Sequence, residues 1–206
     1  LINKALPFKE GSDETIELRI SDKKDQIVVT ERRGEFPFQQ VHHQQNQKMI
    51  DYIKKTMGED HGFVVELYCG SGNLSFALSS QVQKLWGFDS QQGAIDEALV
   101  TVKEKRAIHL NFWHLSAQAG LKEVRRRGLH PQTIILDPPR TGAKECLDDI
   151  ITLSPARIIY ISCHPTSLAR DLARLIHHGY DIEQIQPLDM FPHTSHIEAI
   201  AILVRR

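Results

Sequence analysis

From residue 63 onward the chain alternates between two kinds of hydrophobic pattern. Short runs that are apolar at nearly every position, FVVELY (63–68), KLWGFD (84–89), IHLNFWHL (108–115), TIILD (133–137) and RIIYIS (157–162), are rich in β-branched and aromatic residues and read as strands. Between them lie stretches whose apolar positions recur at helical spacing: NLSFALSSQ (73–81), QQGAIDEALVTVKEKRA (91–107), AQAGLKEVRRRG (117–128), GAKECLDDIITL (142–153) and PTSLARDLARLIHHG (165–179). Gly128 and Gly179 stand where helices stop. Two β-rich runs, IEQIQPLDMF (182–191) and HIEAIAILVR (196–205), close the chain with no helix between them, which predicts a hairpin and an antiparallel strand. Strands that are apolar on both faces and alternate with helices build a parallel sheet covered on both sides. The predicted class is α/β, a mostly parallel seven-stranded sheet with a C-terminal β-hairpin.

Residues 1–57 follow another pattern. TIELRI (15–20) and IVVTERR (27–33) flank a polar turn and predict a small N-terminal hairpin. FPFQQVHHQQNQKMIDYIKKTMG (36–58) then leads into an amphipathic helix with Val41, Met49, Ile50 and Ile53 on its inner face. We divide the chain at this change, with 1–35 a remnant of, or connector to, another domain and 36–206 a single α/β domain. The sequence starts without Met and reads as a piece of a longer protein.

Composition narrows the classes. A net charge of −1 does not announce a nucleic-acid binder, and the basic clusters at 103–106, 125–127 and 205–206 read as solvated helix ends and tails. No apolar run approaches the ~20 residues of a membrane helix, and no secretory signal is visible. Three cysteines at irregular spacing (69, 146 and 163) suit neither a disulfide framework nor a zinc site. A reducing, cytoplasmic setting, no metal and a monomer without protein partners are expected.

Ligands of such sheets bind at the carboxyl ends of the strands, and the distinctive residues follow strands. Gly70-Ser71-Gly72 lets a ligand approach the backbone, with free N–H groups at the helix behind it. Asp89, about twenty residues on, is placed for a ribose diol. Position 75 is Ser, so the dinucleotide pattern G-x-G-x-x-G is not met, and a single nucleoside fits better. S-adenosylmethionine, which has a ribose but no pyrophosphate, suits the site. Asp137, in LDPPRTG, is either a turn former before a stiff Pro-Pro exit or a substrate contact in the crevice. Arg140 stands where amine methyltransferases with a similar Pro-Pro segment carry an aromatic residue, which disfavours amine methylation.

Cys163 ends the fifth strand. It is either an inert core thiol or a nucleophile whose thiolate is favoured by the helix starting at Pro165 and by the Arg140 cation. Cys69 lies within the glycine turn, where backbone work is expected, and Cys146 falls mid-helix as a structural residue. Glu198 sits in the otherwise apolar IEAIAIL, where burial would raise its pKa toward that of a general base. His193 and His196 beside it are weak grounds for a metal.

Together FPFQQV, ELYCGSGNLS, FD at 88–89, LDPPRTG, ISCHPTSLARD and MFPHTSHIE resemble the RNA uracil-5-methyltransferase family over nearly all of 36–206. The resemblance implies a Rossmann-like S-adenosylmethionine-dependent methyltransferase fold and methylation of carbon 5 of a uridine in tRNA or rRNA. It further implies Cys163 as nucleophile, Glu198 as base and Asp137 in the catalytic pocket. Cofactor contacts are implied for Gln40, for Tyr68, Gly70, Gly72 and Asn73 of the glycine turn, and for Asp89 and Asp137. His164 and His42 replace the family's usual Asn. The family's N-terminal β-barrel RNA-binding domain, to which 1–35 would connect, has no counterpart in these residues, nor do the four cysteines that hold an iron–sulfur cluster in some members.

The chemistry asks for the same residues. Uracil carbon 5 is a poor nucleophile until a thiolate adds to carbon 6, and a base must afterwards remove the carbon 5 proton. An RNA cytosine-5-methyltransferase would also use a cysteine, but with Pro-Cys where this chain has Pro138-Pro139. A non-catalytic cofactor-binding RNA chaperone is the other alternative. The choice of RNA and of uridine lies beyond the sequence.

Overall fold

The computed structural model describes residues 16–23, 26–33, 43–58, 61–189 and 197–206. They fall into two compact units divided between Pro37 and Phe38. In the first, β1 (Ile16–Lys23) and β2 (Gln26–Arg33) form an antiparallel pair running from Ile16 opposite Arg33 to Lys23 opposite Gln26.

The second unit opens with α1 (His43–Met57), which buries Met49, Ile50 and Ile53 as its spacing predicts. Val41 lies outside the described residues. Then follow β3 (His61–Leu67), α2 (Asn73–Ala77), β4 (Val82–Asp89), α3 (Gln92–Lys105), β5 (Leu110–His114), α4 (Ala117–Arg126) and β6 (Thr133–Leu136). The chain closes with α5 (Leu147–Leu153), β7 (Arg157–Ser162), α6 (Pro165–His177), β8 (Tyr180–Leu188) and β9 (Glu198–Arg205).

Among the described residues seven strands make one sheet in the order β5-β4-β3-β6-β7-β9-β8, parallel except where β9 runs antiparallel to both β7 and β8. The sheet grows outward from β3 to β5, then crosses back to β6. The carboxyl ends of β3 and β6 therefore flank the switch point, where the diverging crossovers leave a crevice.

Both faces are covered. Met49, Ile53, Leu74, Ile95 and Ala98 pack against one side of the sheet, and Leu121, Val124, Leu147, Ile150, Leu168, Leu172 and Leu175 against the other. This is why TIIL and RIIYI are apolar throughout: in a sheet with helices on both sides neither face meets water. The hairpin obeys the same rule. β9, with Ile200, Ala201, Ile202 and Leu203 fully buried, takes the inner place beside β7, while β8, whose Ile182 and Ile185 are exposed, forms the edge.

Two helices differ from the sequence pattern. The stretch 73–81 is a short α-helix followed by a 3-10 turn at Ser79–Gln81. The stretch 142–153 becomes helical only at Leu147, so Cys146 is not mid-helix: it is the buried N-cap, its thiol donating to the Ala143 carbonyl (3.3 Å). The preceding segment turns instead, because Ala143 N–H is drawn away to side chains of β7 and α6.

Candidate functional site

The glycine turn is held from below by Asp89. Gly70 N–H donates to one carboxylate oxygen and Gln91 N–H to the other, each at 2.8 Å. Each oxygen keeps lone-pair capacity for a further donor, the arrangement a ribose diol requires. Tyr68, Gly70 and Gly72 all have positive φ (59°, 53° and 88°), which coils the turn tightly. A Cβ on Gly70 would meet nothing within 4 Å, so its backbone borders open space, whereas one on Gly72 would strike Phe76 and Phe112. Tyr68 swings its hydroxyl to Glu145 (2.7 Å). Asn73 exchanges reciprocal amide hydrogen bonds with Asn46 of α1 (2.9 and 3.1 Å). Gln40 and His42 lie outside the described residues, as do His193 and His196.

Acidic groups converge around the crevice. Asp137 follows β6; its carboxyl is pushed up to about 8, first by desolvation, then by the negative charges of Glu198 and Glu66. Glu198 opens β9, buried, and burial raises its pKa. Among the described residues neither carboxylate has a hydrogen-bond partner. Glu66 is a member of this group that the sequence reading passed over. It sits buried inside β3, accepts the Ser75 hydroxyl, and is pushed up to about 7 by desolvation, against the lowering effect of that hydrogen bond. The signal was present: a lone acid in an otherwise apolar strand, facing a helix start that carries Ser.

Cys163 emerges half-buried from the end of β7. β7 and β9 pair from Arg157 opposite Val204 to Ser162 opposite Ala199, and one further step of that register sets Cys163 against Glu198. Immediately behind the thiol α6 begins, capped by His164, whose Nδ1 accepts from Ser167 N–H (3.3 Å). This is the role an Asn would fill as N-cap, so the His keeps the cap with different chemistry.

The thiol does not behave as the local sequence suggests. Its pKa is raised: desolvation comes first, then the charges of Glu198 and Asp137, and the opposing Arg140 cation is weaker. Burial, together with the acids delivered from β6 and β9, outweighs the one arginine. Cys69 is buried and also pushed well up by desolvation, and its N–H bonds to Phe88 O (3.1 Å).

The site thus joins the glycine turn and Asp89 on one side of the switch point to the Cys163 thiol, Asp137 and Glu198 on the other. Among the described residues no three His, Cys, Asp or Glu side chains come together as a metal would need, and no helix is long and apolar enough to cross a membrane.

The family model described as tRNA (Uracil-5-)-methyltransferase matches residues 12–206. The 23S rRNA (uracil(1939)-C(5))-methyltransferase RlmD of Haemophilus ducreyi is 33% identical over 171 residues, covering 82% of this chain and 38% of that protein. An uncharacterized RNA methyltransferase of Clostridium acetobutylicum is 31% identical over 208 residues, covering 90% and 45%. Among solved structures, the Pyrococcus abyssi tRNA (uracil-54, C5)-methyltransferase in complex with S-adenosyl-L-homocysteine superposes with a TM-score of 0.68 at 26% identity, covering 94% of this chain and 45% of that one. The chain therefore spans less than half the length of these relatives. With the matched region taking in the hairpin, the glycine turn, Asp137, Cys163 and Glu198 alike, the chain belongs to the tRNA (uracil-5-)-methyltransferase family.

Proposed function

We propose that this chain is the catalytic part of an S-adenosylmethionine-dependent RNA methyltransferase that modifies carbon 5 of a uridine in tRNA or rRNA. The observation that carries the reading is that Cys163 and Glu198 each lie one residue beyond the last β7–β9 pair, Ser162 opposite Ala199, with the charges of Glu198 and Asp137 felt at the thiol. A nucleophile and a base so close serve one ring, one adding to it and the other taking a proton from the neighbouring carbon.

The cofactor fits the residues present. Asp89 has acceptor capacity left on both oxygens, Gly70 leaves room at the backbone, and Asp137 stands across the crevice without a hydrogen-bond partner among the described residues. These groups, with Gln40, Tyr68, Gly72 and Asn73, would hold it. When bound, S-adenosylmethionine supplies an electrophilic methyl on a cationic sulfonium.

Cys163 gives up its proton to water and, as thiolate, adds to carbon 6; the carbon 5–carbon 6 π pair moves toward the carbon 4 oxygen, making carbon 5 nucleophilic. Once carbon 5 bears its methyl, Glu198 removes the remaining hydrogen there, the double bond re-forms and the sulfur–carbon 6 bond breaks. A base with a raised pKa is suited to that last step, since it is strong enough to take a carbon-bound proton and can later release it to water. Asp137, which holds its proton to about 8, donates a hydrogen bond to the uracil or shapes the pocket. The base must first leave its stack, at a cost of about a few kcal/mol. Residues 1–35 would connect to an RNA-binding region, and a cytoplasmic setting would keep the thiol reduced.

The test is intact-protein mass spectrometry of the chain incubated with S-adenosylmethionine and RNA carrying 5-fluorouridine. Fluorine cannot depart as a proton, so the expected product is a stalled protein–RNA adduct that disappears in Cys163→Ala. A chain that binds the cofactor yet forms no adduct with tRNA or rRNA would sink the proposal.

A further inference from the structure

Asp171 is a buried charge that the reaction above does not use. It lies 1% exposed in α6, and three groups converge on it. The Tyr160 hydroxyl donates to its Oδ2 at 2.7 Å, Ala143 N–H donates to the same oxygen at 2.8 Å, and Arg170 Nε donates to Oδ1 at 2.8 Å. Arg170 reaches on to donate to the Thr141 carbonyl at 2.9 Å. Ala143 N–H is shared with the Tyr160 oxygen at 3.1 Å. Gly142, at φ +81°, brings the loop against the helix so closely that a Cβ there would lie 2.5 Å from Asp171 Oδ2.

These contacts join three segments. Thr141–Ala143 continue the loop that bears Asp137 and Arg140; Tyr160 lies in β7, three residues before Cys163; Asp171 lies in the helix that starts just after it. For stability alone an apolar side chain would fill the site as well, because a buried carboxylate repays its desolvation only when its hydrogen bonds are well made. What the ionic version adds is a fixed geometry. We propose that Asp171 is a positioning residue that clamps the 137–143 loop onto β7 and α6 and so sets Asp137 and Arg140 against Cys163. Its catalytic consequence rests on the reading of Cys163 as nucleophile.

The test uses the full 206-residue chain. The pH profile of Cys163 alkylation by iodoacetamide, followed by peptide mass spectrometry, is compared for the unsubstituted chain, Asp171→Ala, Asp171→Asn and Gly142→Ala, with melting temperatures measured alongside. A loosened loop admits water and withdraws the Asp137 charge from the thiol. The midpoint is therefore expected to fall by about half a pH unit or more in Asp171→Ala and Gly142→Ala. Asp171→Asn, which keeps an acceptor for Tyr160 and Ala143, should restore most of it. Should Asp171→Ala fail to fold, Gly142→Ala perturbs the same contact from the loop side and decides the matter. Variants that melt lower yet share the parent's midpoint would make Asp171 a purely structural residue and overturn the proposal. Alkylation needs no RNA, so the fluorouridine adduct of the unsubstituted chain, measured in parallel, judges the nucleophile reading separately.

Discussion

Cys163 and Glu198 stand one register step beyond Ser162 and Ala199, the last paired residues of β7 and β9, and the Glu198 charge is felt at the thiol. Since the strands are antiparallel, two groups far apart in sequence reach the same edge of the sheet with little freedom to drift. Conversion of one at a time should therefore separate the two halves of the reaction.

Under the proposed mechanism, replacing Glu198 by Gln removes the base and leaves the nucleophile. With ordinary uridine RNA the methylated adduct should then accumulate, where the parent passes through it. Turnover should fall by about 10²–10⁴-fold, the usual worth of a positioned base. Denaturing gel shift of labelled RNA reads both effects. Rapid adduct release in E198Q would show that another group takes the proton.

Asp89 accepts from both Gly70 N–H and Gln91 N–H, so it shapes the turn proposed to receive the cofactor. Asp89→Ala should weaken S-adenosylhomocysteine binding about 10- to 100-fold, the value of losing roughly 1.5–3 kcal/mol of charged hydrogen bonding. Isothermal titration calorimetry measures it. Unchanged affinity would remove Asp89 from the cofactor site.

The buried acids give stability a definite pH dependence. Glu66 has a folded pKa of about 7 against an ordinary 4.5, and Asp137 about 8 against 3.8. Both are raised, so between the two values the folded chain binds more protons than the unfolded one, and stability falls as pH rises. Their favourable contribution is complete below the ordinary values and lost through the folded ones. Thermal melts should show a less stable chain at pH 8 than at pH 5.5, and Glu66→Gln should shrink that difference in stability by an amount on the order of 2 kcal/mol. A melting temperature that rises over this window would contradict the burial of these acids.

His164 caps α6 through Nδ1, directly after the thiol. His164→Ala should lower stability by about 1 kcal/mol, the ordinary cost of losing an N-cap, whereas His164→Asn should match the parent. Urea denaturation distinguishes them, and equal losses in both variants would assign His164 some role other than the cap.

The alternation of strands and helices was legible because it follows from local physics. Runs such as TIIL and RIIYI are apolar on both faces only where helices cover both, and Pro165 with Gly179 marks the limits of α6 well, the helix ending at His177. The glycine turn, Asp89, Asp137, Cys163 and Glu198 could be singled out because each stands at a strand end, where such sheets place their ligands. Gln40 could be named too, but it falls outside the described residues.

What only the tertiary structure decided are the effects that arise between segments. Whether β8 or β9 takes the inner place determines that Glu198 meets Cys163. Desolvation first, and then the acids arriving from β6 and β9, raise the thiol pKa that its own helix and Arg140 were expected to lower. Glu66 joins the acidic group only through its burial and its Ser75 partner. Cys146 looked mid-helix until Ala143 was seen held by Tyr160 and Asp171. Hydrophobic period and turn chemistry are properties of neighbouring residues, so the sequence displays them; desolvation and charge coupling depend on which distant strands become neighbours, and that is settled only when the sheet assembles.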